Sequence, residues 1–145
     1  KNIKDDDVVI RLTGENPVTD ASFLLQMIKI WKKNKYNYLS GQPNNVKNYN
    51  WPQGLNAEFI KAGLIRKSYD NDKSKQNREH VTLRIRKNLK KIPSLYGKIN
   101  LRGNYKGMML EVNELNDYLR VEKLFSNNSW KTKYRKLLNK LKNKT

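Results

Sequence analysis

The sequence predicts an α+β domain, on three observations. Residues 21–33 repeat apolar side chains at helical spacing, residues 80–86 alternate apolar and polar, and polar, turn-forming clusters separate the two kinds of segment. At 145 residues the chain is long enough for one ordinary domain with a sizeable core.

Residues 1–7 form a charged lead-in whose three aspartates, Asp5, Asp6 and Asp7, read as a solvated terminus rather than a metal site. Residues 8–12 (VVIRL) read as a short strand, broken by the turn-prone run 13–17 (TGENP). Thr19 or Asp20 then caps a helix over residues 21–33. Its buried stripe is Leu24, Met27, Ile28 and Trp31, widened by Phe23 and Ile30. Residues 36–54 are rich in Asn, Gly and Pro but carry Tyr36, Tyr38, Tyr49 and Trp51, with Pro43 a candidate helix start. Two readings of this stretch stand side by side. Its aromatics fold back onto the core, or its amides and rings contact bases.

Residues 55–62 have helical spacing, with Leu55, Phe59 and Ala62 on one face. Gly63 sits where a helix ends in a left-handed cap, a conformation glycine adopts without a Cβ penalty. From Leu64 and Ile65 an extended run reaches Tyr69, and residues 70–77 (DNDKSKQN) make a polar tip. The returning strand, 80–86, places Val81, Leu83 and Ile85 on one face and Thr82, Arg84 and Arg86 on the other. Beyond a basic connector, residues 96–101 and 106–112 read as a second hairpin around 102–105. Asn113 is the expected cap of a helix over 114–125 with Leu115, Tyr118, Leu119 and Val121 along its faces. After a loop at 126–129, residues 130–142 form a basic amphipathic helix striped by Trp130, Tyr134, Leu137, Leu138 and Leu141.

Helix, glycine stop, strand, polar tip and returning strand over residues 55–87 resemble the winged helix-turn-helix superfamily. The residues that carry the resemblance are Gly63-Leu64-Ile65-Arg66, Asp70, Asp72, Arg78 and Val81-Thr82-Leu83. It implies a winged-helix-like core with a two-stranded wing, to which the second hairpin and C-terminal helices are added. Residues 1–125 are then a single α+β nucleic-acid-binding domain, and 126–145 a basic amphipathic C-terminal helix.

The formal net charge of +18 calls for an anionic partner, because a domain so charged repels itself. Nucleic acid is the expected partner, duplex DNA before RNA. The expected contacts are Lys61, Arg66, Lys67, Lys73, Lys75, Arg78, Arg84 and Arg86 around the wing. Lys47, Tyr49, Asn50 and Asn56 precede it, and Lys131 and Arg135 lie on the last helix. The function expected is a DNA-binding domain of a transcription regulator or of a larger DNA-processing protein such as a restriction endonuclease. The alternatives are an RNA-binding or ribosome-associated module, a nuclease or toxin, and a protein- or membrane-binding module.

Several classes are excluded. The chain has no cysteine and a single histidine, His80, which rules out a disulfide framework and thiolate or paired-histidine zinc sites. There is no phosphate loop, nucleophile elbow or Glu-x-Lys tripeptide. Glu79 and His80, neighbours in a strand, would point to opposite faces. No catalytic residue, metal or cofactor is expected, and the segment reads as a non-enzyme. No apolar run reaches membrane-spanning length. A chain opening on Lys1 reads as a fragment with further domains, acting inside the cell in the cytoplasm or nucleus.

Overall fold

The chain forms three short strands: β1 (Val8–Arg11), β2 (Tyr38–Ser40) and β3 (Glu58–Lys61). They make one sheet in the order β1-β3-β2, with β3 antiparallel to both neighbours, so β1 and β2 run the same way. The computed structural model describes residues 2–96, 98–99, 101–126 and 132–142. The register sets Arg11 and Ser40 opposite Glu58, Ile10 and Leu39 opposite Phe59, and Val9 and Tyr38 opposite Ile60. Side chains alternate along a strand, so these rows belong to alternate faces.

Helix α1 (Ala21–Lys33) covers the face that carries Leu39 and Phe59. The Trp31 and Phe59 rings lie 5.9 Å apart, and Phe23 and Met27 are fully buried. Asp20 accepts from the Phe23 N–H at 2.9 Å and from the Tyr134 N–H at 2.7 Å. One carboxylate thus satisfies orphan donors at the start of α1 and of the C-terminal helix α6 (Tyr134–Lys142). Tyr134, Leu137 and Leu138 of α6 join the same core, with the Tyr134 ring edge-on to Phe23 at 5.4 Å.

Helices α2 (Ala62–Asp70), α3 (Lys75–Glu79) and α4 (Leu83–Asn88) follow β3 directly. Tyr38, Ile60 and Ile85 form a second core against the opposite face of the sheet, with Leu64, Ile65 and Leu89 packed around it. Helices therefore lie on both faces. Helix α5 (Leu115–Phe125) buries Val121 in the larger core. Among the described residues no helix is long and apolar enough to cross a membrane.

Four expectations are corrected here. Residues 58–61 are the central strand rather than part of a helix, because this position is buried on both faces and its side chains answer to the sheet. Gly63 has no positive φ; it lies within α2, where an added Cβ would come 2.9 Å from the Asp5 Cβ. The wing is helical. Asp72 accepts from the Ser74 N–H at 2.8 Å and pairs with Arg84 at 3.0 Å, which folds the polar tip back into α3. These bonds hold the Asp72 carboxyl well below the usual carboxylate range. Among the described residues the second hairpin does not form: isolated bridges, Tyr96 to Ile99 and Gln53 to Met109, stand in its place. Trp51 does fold back into the core, and its indole N–H donates to the Leu55 carbonyl at 3.1 Å.

Glu114, not Asn113, occupies the N-cap of α5 and makes no side-chain cap bond. Asp117 takes that role from inside the helix, accepting from the Asn113 N–H at 3.0 Å and pairing with Arg120 at 2.7 Å. Leu115, Tyr118 and Leu119, expected along the helix faces, are exposed.

Phe59→Ala should destabilise the fold by about 3–5 kcal/mol, because it opens a cavity beneath Trp31; a denaturant midpoint unchanged from the parent would refute that packing. A second expectation concerns acid. The Asn113 N–H and Arg120 lower the Asp117 pKa, so its stabilisation is complete above the ordinary carboxylate pKa and fades as pH falls below it. Asp117→Asn should flatten the acid limb of a stability–pH curve, and an unaltered limb would show that the cap contributes nothing.

Candidate functional site

A buried carboxylate marks the site. Glu58 is 3% exposed, on a face where an isolated charge would be strongly disfavoured. Three elements bring donors to it. The Arg11 guanidinium from β1 reaches Oε2 at 2.7 Å, the Tyr38 hydroxyl from β2 donates to Oε1, and the Thr82 hydroxyl at the start of α4 donates to Oε2 at 3.3 Å. Burial, then the charge of Glu58 beside it, pushes the Tyr38 hydroxyl far above the usual tyrosine range. Tyr38 is therefore a fixed neutral donor.

Arg11 is held on one side and open on the other. Its side chain keeps 34% of its exposure while one of its nitrogens is bound to Glu58. A guanidinium oriented by a buried carboxylate presents its remaining N–H groups without further ordering cost, an arrangement suited to phosphate. Arg11 and Ser40 close the carboxyl ends of the two parallel strands, and β3 enters at the same end. In open α/β sheets ligands bind beyond that end.

The loops there are tied together by polar side chains. Thr19 Oγ1 donates to the Asn56 carbonyl at 2.9 Å, and the Asn56 side-chain oxygen accepts from the Gly41 N–H at 3.1 Å. A Cβ at Gly41 would lie 2.7 Å from the Ala57 nitrogen, so only glycine lets the loop pass so close. On the same loops Asn16 Oδ1 and Gln42 Oε1 are buried without a hydrogen-bond partner. Asn77 Oδ1 of α3 is buried in the same way. Beyond the end of β2, a groove of about 750 Å³ is lined by Asn44, Asn45, Tyr49, Lys91 and Tyr96. No three of His, Cys, Asp and Glu converge to hold a metal ion among the described residues.

The residues expected to bind nucleic acid are spread over several elements. Lys61 and Arg66 pair with Asp6 and Asp5 of the lead-in. Arg78 stacks on Tyr69, its guanidinium carbon 4.2 Å from the ring centre, and Arg84 is held by Asp72. Lys67, Lys73, Lys75 and Arg86 are exposed on or beside the three short helices. Lys47 and Tyr49 lie on the loop after β2, and Asn50 donates to the Gly103 carbonyl at 2.7 Å. Arg135 hydrogen-bonds Gln26 across α1 and α6. Lys131 and Trp130 lie outside the described residues. Of the whole set, Asn56 belongs to the sheet-end cluster and Tyr49 lines the groove beyond β2. The meeting of Arg11, Tyr38, Glu58 and Thr82 was not anticipated: Glu58 was expected on the polar side of a recognition helix and Tyr38 in a loop. The sequence signal of Arg11 and Glu58 is a charge inside each of two short apolar runs, VVIRL and AEFI.

Residues 1–140 match the cytidylyltransferase family. The chain belongs to that family. A solved cytidylyltransferase from Leptospira borgpetersenii serovar Hardjo-bovis shares the fold, with a TM-score of 0.75 at 19% identity over 95% of this chain and 57% of that one. Over 126 residues the sequence is 29% identical to an uncharacterized protein of Methanocaldococcus jannaschii, covering 82% of this chain and 47% of the relative. The chain thus spans about half the length of the relatives it matches. Membership of the cytidylyltransferase family overturns the winged-helix fold, and with it the DNA-binding function and the duplex DNA partner. The sheet between two helical layers is part of a cytidylyltransferase fold, and the charge reads differently in that setting.

Glu58→Gln should release Arg11 and weaken the grip on Tyr38. A loss of about 1–3 kcal/mol is expected, below that of a fully buried pair because Arg11 reaches solvent. The Tyr38 hydroxyl should then ionise closer to the ordinary tyrosine range. Alkaline ultraviolet titration with a denaturant melt reads both; an unchanged titration would mean that Glu58 does not govern Tyr38.

Proposed function

We propose that this chain supplies part of the active site of a cytidylyltransferase, which moves a cytidylyl group from CTP to an acceptor. The observation that carries the reading is the family match over residues 1–140. In the reaction an acceptor oxygen bonds to the α-phosphorus, the bond from that phosphorus to the pyrophosphate oxygen breaks, and pyrophosphate leaves with the electron pair. Negative charge concentrates on the transferring and leaving groups, and fixed cations lower the barrier.

Arg11 is the cation this segment offers: open on one side, oriented by Glu58 on the other, at the carboxyl end of the sheet. Phosphate chemistry of this kind commonly uses a divalent cation. The described residues gather no cluster of three His, Cys, Asp or Glu to hold one. A CTP-consuming enzyme works inside the cell, where the nucleotide is made.

The test is pyrophosphate release from CTP by the assembled enzyme over a panel of hydroxylated acceptors. Release should require both an acceptor and CTP, and Arg11→Gln should slow it at least about tenfold, the loss expected for one charge-assisted phosphate contact. Failure of CTP to bind, or equal turnover of all four nucleoside triphosphates, would sink the reading.

A further inference from the structure

Two arginines share a pocket on the other side of the sheet from Glu58. Arg102 and Arg135 line a cavity of about 250 Å³ together with Leu101, Tyr105, Leu138 and Asn139. Tyr105 and Leu138 belong to the larger core beneath α1, whereas Glu58 shares its face of the sheet with Ile60 of the smaller core. Among the described residues neither arginine makes an ion pair. Both walls come from stretches without a carboxylate: residues 98–110 and 123–145 contain no Asp or Glu, and they add Lys98, Lys106 and Lys136 to the local charge. A concavity so lined concentrates positive potential where an anion can enter it.

Both walls are held in place. Asn50 grips the loop at 103–105: its Nδ2 donates to the Gly103 carbonyl at 2.7 Å and its Oδ1 accepts from the Tyr105 N–H. The hydroxyl of the buried Tyr105 donates back to the Arg102 carbonyl at 2.6 Å. On α6, Arg135 Nε donates to the Tyr134 hydroxyl at 3.0 Å and one Nη to Gln26 Oε1 at 3.1 Å, while Gln26 Nε2 donates to the same hydroxyl at 2.8 Å. These bonds orient the guanidinium and leave most of its five N–H donors for a ligand.

We propose that this pocket binds a phosphate group through Arg102 and Arg135, with the Asn139 side-chain amide as a further donor. Two guanidinium forks without a carboxylate between them suit a dianion with several oxygens, and the leucines of the lining strengthen charge-assisted bonds by excluding water. A bound phosphate joins α6 to the loop at 101–105 and so steadies the C-terminal helix. The inference does not rest on cytidylyl transfer, and its readout involves no turnover.

Calorimetric titration of the 145-residue chain with inorganic phosphate, pyrophosphate and glucose 6-phosphate, at physiological salt, tests it. At least one of the three should bind saturably. Arg102→Gln and Arg135→Gln should each weaken that binding at least about tenfold, the loss of one charge-assisted bond. Lys67→Gln, an exposed charge of α2 on the far side of the sheet, should change it by less than about twofold. Inorganic ions binding at least as tightly as the sugar phosphate would assign the site to a free anion; the reverse order would assign it to a phosphorylated molecule. Should either arginine variant melt lower than the parent, the Nε–Hε resonances of Arg102 and Arg135 in the parent chain decide, since both must shift along one binding curve. Titration without saturation, an equal loss in Lys67→Gln, or unmoved arginine resonances would overturn the proposal and leave only a diffuse field.

Discussion

Glu58 lies buried on the central strand, where an ionised carboxylate is tolerable only because donors from three separate elements meet it. Arg11 brings β1, Tyr38 brings β2, and Thr82 brings the helical layer beyond the sheet. A slip of one residue in either strand pairing would carry a donor to the wrong face and leave a buried charge without a partner. The carboxylate therefore sets register and layer contact together. Apolar residues of similar volume often stabilise such a position as well or better. The pair is better understood as a device that orients Arg11 than as a source of stability.

How far this was legible in the sequence depended on how local each feature was. Helix α1 followed from its own stripe and from Asp20, and β1 from VVIR, because both depend on nearby residues. Residues 55–62 misled for a specific reason: Leu55, Phe59 and Ala62 keep helical spacing, yet Leu55 and Phe59 are buried from a loop and a strand. A four-residue strand buried on both faces has no period of its own to announce it. The alternation at 80–86 was short as well, and α4 buries only Ile85 of it. The site lay further out of reach. Arg11, Tyr38, Glu58 and Thr82 come from four segments and converge only through sheet order, so no contiguous motif connects them.

The charge was readable and its partner was not. A net +18 favours polyanions in general, and a nucleoside triphosphate or pyrophosphate is as much a polyanion as a short stretch of duplex. What separates these ligands is whether cations line a face or gather at a point. Here Lys61, Arg66, Arg78 and Arg84 are tied to aspartates or to a tyrosine within the chain. The surface charge that remains acts as a diffuse field, which raises the local concentration of small anions and falls away with salt.

The junction between the lead-in and α2 bears on how the chain folds. Lys61 provides no side-chain cap; instead the first N–H groups of α2, those of Ala62 and Gly63, donate to the carbonyls of Asp7 and Asp5 at 2.9 and 3.0 Å. Arg66 reaches back to the same Asp5, 61 residues away. Helix α2 thus has its start completed by residues 5 and 7, not by its own neighbours. Closing a loop of that length costs entropy before any of these bonds is gained. Residues 5 and 7 gain these bonds only when β3 and the first turn of α2 are in place, so the lead-in and the start of α2 commit to structure together.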